Sequence, residues 1–253
     1  MYEEMVGKIS EVAQSKVAIL KASRWKYMIL SMFAGIYVGF GILLIFSVGG
    51  MVGDSPFKKI LMGISFGIAL SLVLMVGSEL FTGNNMIMTV ASLNQKVKWM
   101  DTIKIWGYSF VGNLLGSILL ALLYVLSGSA KGPIGEFFIK ASETKMNGAF
   151  GELFFKGILC NMLVCLAIFC FIKLKEETAK LIMIFWCLFA FITSGFEHSV
   201  ANMTIMSVAL LLPDSGLTIG GFLQNIIPVT LGNMVGGAFF IGAGYWYVGK
   251  GAK

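Results

Sequence analysis

The chain has 253 residues, 57% hydrophobic and 13% charged, with a mean hydropathy of +0.87 and a formal net charge of +6. A soluble globular domain carries roughly 25% charged residues, so this composition excludes one and predicts an all-α integral membrane protein, read as a single domain over residues 1–253. The apolar content comes in long runs rich in Leu, Ile, Met, Phe and Gly, not in alternating segments of about 10 residues, which argues against a barrel.

Residues 1–24 read as an amphipathic helix, with Met5, Ile9, Val12, Val17 and Leu20 near helical spacing and Glu and Lys between them. Such a helix lies along the membrane face or packs beneath the bundle. Its charges do not fit a cleavable signal peptide. Six spans follow, each needing about 20 apolar residues: 27–49, 57–92, 104–127, 149–172, 180–212 and 220–248. The second and fifth are too long for one straight helix, and each is broken by polar residues, at Gly77–Asn85 and at Ser194–Asn202. Each is therefore expected to be two half-helices. The connection 128–148 carries Lys131, Lys140, Glu143 and Lys145 and reads as a cap or vestibule wall. Cys160, Cys165, Cys170 and Cys187 lie in apolar spans without metal spacing; no metal, cofactor or nucleic-acid partner is implied.

The two halves, 27–127 and 149–248, read as a repeat. Gly35-Ile36 is matched to Gly157-Ile158, Glu79 to Glu197, and Gly112-Asn113-Leu114-Leu115-Gly116 to Gly232-Asn233-Met234-Val235-Gly236. Three spans per half make the repeat inverted, with its pseudo-twofold axis near the midplane. Lysines cluster before the first span and at Lys96, Lys98, Lys104, Lys173, Lys175, Lys180, Lys250 and Lys253, while the alternate connections are poorer and the one holding Asp214 has none. The positive-inside rule then places both termini in the cytoplasm.

Ionisable groups at membrane depth normally face a cavity or a path. His198, the only histidine, is read as a proton donor or cationic attractor for a permeating anion, against a neutral imidazole that merely bonds another helix. Thr82, in the corresponding break, offers a hydroxyl, and the amides from Phe81 to Asn84 offer further donors. Glu79 and Glu197 would repel anions, so they are read as loop supports that accept bonds from unwound backbone amides. Asn161 and Asn233 stand equally as polar glue between helices or as pore lining. Lys145 is the better candidate for enriching anions at a vestibule, since Lys156 can pair with Glu152 at i,i+4. Apolar residues near the breaks could strip water from an ion. The competing classes are a neutral-solute channel, which shares the architecture; an enzyme, for which no catalytic constellation is present; and a scaffold, which leaves the paired breaks unexplained.

The marks Glu79-Leu80-Phe81-Thr82, Gly195-Phe196-Glu197-His198-Ser199 with Ala201-Asn202-Met203, Lys145-Met146, and Ile227-Pro228-Val229-Thr230 before Gly232-Asn233 make the chain resemble the formate/nitrite transporter family over essentially its whole length. The resemblance implies an aquaporin-like fold, a homopentamer in the bacterial inner membrane with one pore per protomer, and passage of formate, nitrite or hydrosulfide, with the hydrosulfide branch the nearest. It also implies Thr82 and His198 as the central polar pair, Lys145 and Asn233 as vestibule and pore residues, one constriction at Phe66 and Phe191, and another at Leu70, Leu80, Phe81 and Val164.

Overall fold

The computed structural model describes residues 1–213 and 215–250; Asp214 and Lys253, read above for charge placement, lie outside them. The described residues form helices joined by short turns, with no strand among them. Helix α1 (Tyr2–Ala22) buries Met5, Val6, Ile9, Ala13, Val17 and Leu20. Apolar positions at this spacing share one stripe of the helix, which packs on the bundle instead of standing off it. Ser23 caps α2 (Arg24–Val52) by accepting from Lys26 N.

The second span is interrupted as expected. It comprises α3 (Lys58–Ser65), α4 (Ile68–Leu72) and a wider π turn (Val73–Gly77); Ser78–Leu80 are then non-helical before α5 (Phe81–Leu93). After α6 (Trp99–Leu126), the 128–148 connection contains its own helix, α7 (Pro133–Met146). The fourth span is α8 (Phe150–Lys173). The fifth is α9 (Glu177–Ser194), a break at residues 195–198, and α10 (Ser199–Leu211). The last runs through α11 (Ile219–Met234), a π segment (Val235–Ala243) and α12 (Gly244–Gly249). Six helices are long and apolar enough to cross a membrane, and the shorter α10 is also apolar.

Glycine turns both breaks in the same way. Gly77 and Gly195 have φ of 89° and 73°, a region that side chains with a Cβ avoid. Helices α2 and α6 pack face to face, as do α8 and α11, and small residues permit the approach. A Cβ on Gly116 would strike the Met32 carbonyl, and one on Gly236 would strike the Ile158 carbonyl. Either Gly116→Val or Gly236→Val should force a helix pair apart and lower the yield of monodisperse protein in size-exclusion chromatography, whereas Gly107→Ala, with nothing near its Cβ, should behave as wild type.

These contacts also correct the register of the repeat. Gly116 meets Met32 where Gly236 meets Ile158, and Gly112 meets Ser31 where Gly232 meets Gly157. Ser31, not Gly35, is therefore the counterpart of Gly157. The sequence match of Gly35 to Gly157 is four residues, about one helical turn, out of step, because a glycine one turn away leaves the same helix face apolar and small. Outside 27–127 and 149–248, α1 precedes α2 as α7 precedes α8.

Candidate functional site

Each break is held by one asparagine. In the first half Asn113 Oδ1 accepts from Phe81 N at 2.9 Å, while its Nδ2 donates to Ser31 O at 2.7 Å and Glu79 O at 2.9 Å. In the second, Asn233 Oδ1 accepts from Ser199 N at 2.9 Å, while its Nδ2 donates to Gly157 O at 2.8 Å and Glu197 O at 3.0 Å. Two further amides of the breaks, Glu79 N and Glu197 N, donate to Leu30 O and Lys156 O. Irregular backbone in a membrane protein needs such internal partners. The amides of Phe81 and Asn84 offer nothing to an anion, since Asn84 N donates to Leu80 O.

The carboxylates turn the other way. Glu79 takes Lys16 Nζ at 2.8 Å on both oxygens, Tyr27 Oη at 2.6 Å and Asn84 Nδ2 at 3.2 Å. Glu197 takes Lys145 Nζ at 2.8 Å on both oxygens and Asn202 Nδ2 at 2.6 Å. Their donors are thus side chains, not the unwound amides expected from the sequence. A buried carboxylate is best compensated by a full cation, and the amphipathic helices α1 and α7 each deliver one. Lys145, expected to be an open vestibule cation, is tied up in this pair. Asn225 steadies it, donating to Lys145 O at 3.0 Å and accepting from Asn202 at 2.8 Å. Lys156 pairs with Glu152 at 3.3 Å.

Between the breaks, Thr82 Oγ1 and His198 Nε2 lie 2.9 Å apart, both side chains buried. His198 also caps α10, with Nδ1 accepting from Ala201 N at 3.2 Å. A ring nitrogen that accepts carries no hydrogen, which assigns the ring hydrogen to Nε2. The imidazole therefore donates to Thr82, and the threonine hydroxyl hydrogen is left for another acceptor. Behind Thr82, Asn161 Nδ2 donates to Thr82 O at 3.1 Å, Asn85 Oδ1 at 3.2 Å and Asn233 O at 2.6 Å. It is wholly buried, bridging the two halves.

A cavity of about 240 Å³ opens beside α7 and ends on Phe191 and His198. Beyond it lies a void of about 10 Å³ between Val38, Phe66, Ala69, Leu70, Leu80, Val164, Leu188, Phe191 and His198. That is room for about one water. Phe66 meets Phe191 edge-on at 5.5 Å. Five of the six residues expected to form two constrictions surround this one void; the exception is Phe81, whose ring packs edge-on to Phe110 at 5.2 Å. Sequence reading missed Val38, Ala69 and Leu188. In the corrected register Val38 is the mate of Val164 and Leu188 the mate of Leu70, so the twofold relation would have found two of them. His198 itself is matched by Leu80 and Thr82 by Val200, so the central polar pair has no twofold copy.

The formate/nitrite transporter profile matches residues 3–247. The chain is 41% identical over 250 residues to "Nitrite transporter NirC" of Salmonella typhimurium (strain LT2), covering 98% of this chain and 92% of that one. Among solved structures it is similar to an "FNT family ion channel" (TM-score 0.92, 40% identity, 97% of this chain and 98% of the other). It is also similar to a "Pentameric formate channel with formate bound" (TM-score 0.79, 29% identity, 90% and 98%). With a profile spanning nearly every residue and a fold shared at this level, the chain belongs to the formate/nitrite transporter family of membrane transporters and channels.

Proposed function

We propose that this protein passes a small monovalent anion of a weak acid through a pore within each protomer, in a homopentamer of the bacterial inner membrane with both termini cytoplasmic. The observation that carries this reading is the Thr82–His198 bond, whose imidazole lines the end of the cavity while the buried threonine stands directly behind it. It sets a polar donor pair against an apolar ring. A bare charge entering that ring is disfavoured by several kcal/mol. The Thr82 hydroxyl, polarised by the imidazole N–H, donates to the anion and offsets part of that penalty. An ion that has taken a proton from the entry-side water crosses the ring as the neutral acid, so acidity on the entry side favours uptake.

His198 contributes as a neutral donor. A second ring proton would have to sit on Nδ1, where it would face the Ala201 N–H. This favours hydrogen-bond donation over the permanent cation that the sequence also allowed. Among the candidate anions we favour hydrosulfide: its one acceptor atom is satisfied by one donor pair, whereas an anion with two oxygens leaves one facing the apolar ring unpaired. The second reading is nitrite, favoured by what the relative at 41% identity is named for.

His198→Phe in proteoliposomes should lower anion flux at least about tenfold, the equivalent of about 1.4 kcal/mol in the barrier. Unchanged flux would refute the role of His198. Thr82→Val should behave alike, and Thr82→Ser should retain flux. Comparing hydrosulfide, nitrite and formate at one pH ranks the substrates.

A further inference from the structure

Two cavities adjoin on the α7 side, one of about 550 Å³ and the deeper one of about 240 Å³ that ends on His198. Three cations line both: Lys58, Lys59 and Lys145. Lys145 is neutralised by Glu197 at 2.8 Å. Lys58 lies 3.7 Å from Asp54 and over the Phe137 ring at 4.8 Å. Lys59 has neither an ion pair nor a side-chain hydrogen bond among the described residues. Its Nζ sits 3.6 Å from where a Cβ on Gly195 would stand, over the turn that leads to Glu197 and His198. The C-terminus of α9 ends at this turn, and a helix C-terminus attracts a cation.

From this geometry we infer that Lys59 captures the anion at the α7-side mouth and hands it to the Thr82–His198 pair. The inference rests on the anion-channel reading above and transfers the capture role from Lys145 to a residue outside every motif that marked the family. The repeat makes it one-sided. In the register that pairs Gly77 with Gly195 and Glu79 with Glu197, the mate of Lys59 is Glu177, an acidic residue in the first turn of α9.

The test is flux of nitrite and hydrosulfide into proteoliposomes with protein inserted in one orientation, at about 0.01 M and about 0.5 M ionic strength. Screening lengths shrink from about 30 Å to a few ångströms between these conditions, and steering by charge falls with them. Lys59→Gln should raise the half-saturating concentration about 3- to 10-fold for entry from the α7 side at low salt. It should lose that effect at high salt and leave entry from the opposite side unchanged. Lys59→Arg should restore wild-type behaviour, and Lys173→Gln, at the far end of α8, should not reproduce the defect. Equal half-saturation for wild type and Lys59→Gln at low salt overturns the role of Lys59 while leaving the channel reading standing. A defect equal at both salt levels overturns it too, since a local structural effect would not be screened. A wild type that passes none of these anions overturns the channel reading itself, and the role of Lys59 with it.

Discussion

Lys145→Met is expected to destabilise the protein by about 3–5 kcal/mol, because it leaves the Glu197 carboxylate buried without its cation. Side-chain exposures of 19% and 9% for the two partners leave the carboxylate buried and the ammonium at the cavity wall. Only Asn202 would remain on the carboxylate, and one amide hydrogen bond does not replace a bidentate ammonium. With about 2–4 °C per kcal/mol for chains of this size, Tm should fall by about 6–20 °C. Lys16→Met removes the equivalent cation from Glu79, but Tyr27 and Asn84 both stay in place, so it should cost less. The double variant Lys145→Met/Glu197→Leu should recover most of the loss, since an apolar pair of similar volume is often neutral or better. Thermal unfolding of wild type, Lys145→Met, Glu197→Leu and the double variant in detergent closes the cycle. A Lys145→Met protein as stable as wild type, or one less affected than Lys16→Met, would contradict this account. The exposed Lys156–Glu152 pair supplies the contrast: Lys156→Met should shift Tm negligibly.

The sequence was most legible where membrane depth makes polar residues expensive. His198, Thr82, Glu79 and Glu197 stand out because nothing apolar explains them, and the two breaks follow from span lengths alone. What the acids bind was not legible. Lys16 lies 63 residues from Glu79, and Lys145 lies 52 from Glu197; the first cation belongs to an amphipathic helix and the second to a connection, and both segments read as peripheral. The apolar ring was legible only through family resemblance, since a lining Leu70 and a packing Leu look alike in a chain that is 57% hydrophobic. The π segments at Val73–Gly77 and Val235–Ala243 left no local signal, because their residues would serve an ordinary helix equally well. The register of the repeat failed for a related reason: glycine recurs one turn apart on faces that are equivalent to the eye and differ only in which carbonyl they meet.

Asn233→Leu and Asn233→Asp separate the two roles that the sequence left open for this amide. Asn233 has no exposed surface, and both hydrogens of Nδ2 as well as Oδ1 are engaged by backbone groups. Leucine keeps the volume but leaves the Ser199 amide and the Glu197 carbonyl without partners, at about 1–3 kcal/mol each, in a region where water cannot substitute. Aspartate keeps an acceptor for Ser199 N but removes both donors and adds a charge among carbonyls. If Asn233 clamps the break, both variants should lose folded protein and thermal stability together, and Asn113→Leu should match Asn233→Leu because its bonds are the same in kind and length. If Asn233 instead meets the passing anion, the leucine variant should fold normally with reduced flux, and the aspartate variant should fold normally and repel anions. The clamp carries a functional consequence: Ser199 follows His198, and a break that loosens there moves the imidazole away from the Thr82 hydroxyl. A partly folded Asn233 variant should therefore lose flux in excess of its loss of folded protein, measured as transport per unit of monodisperse protein.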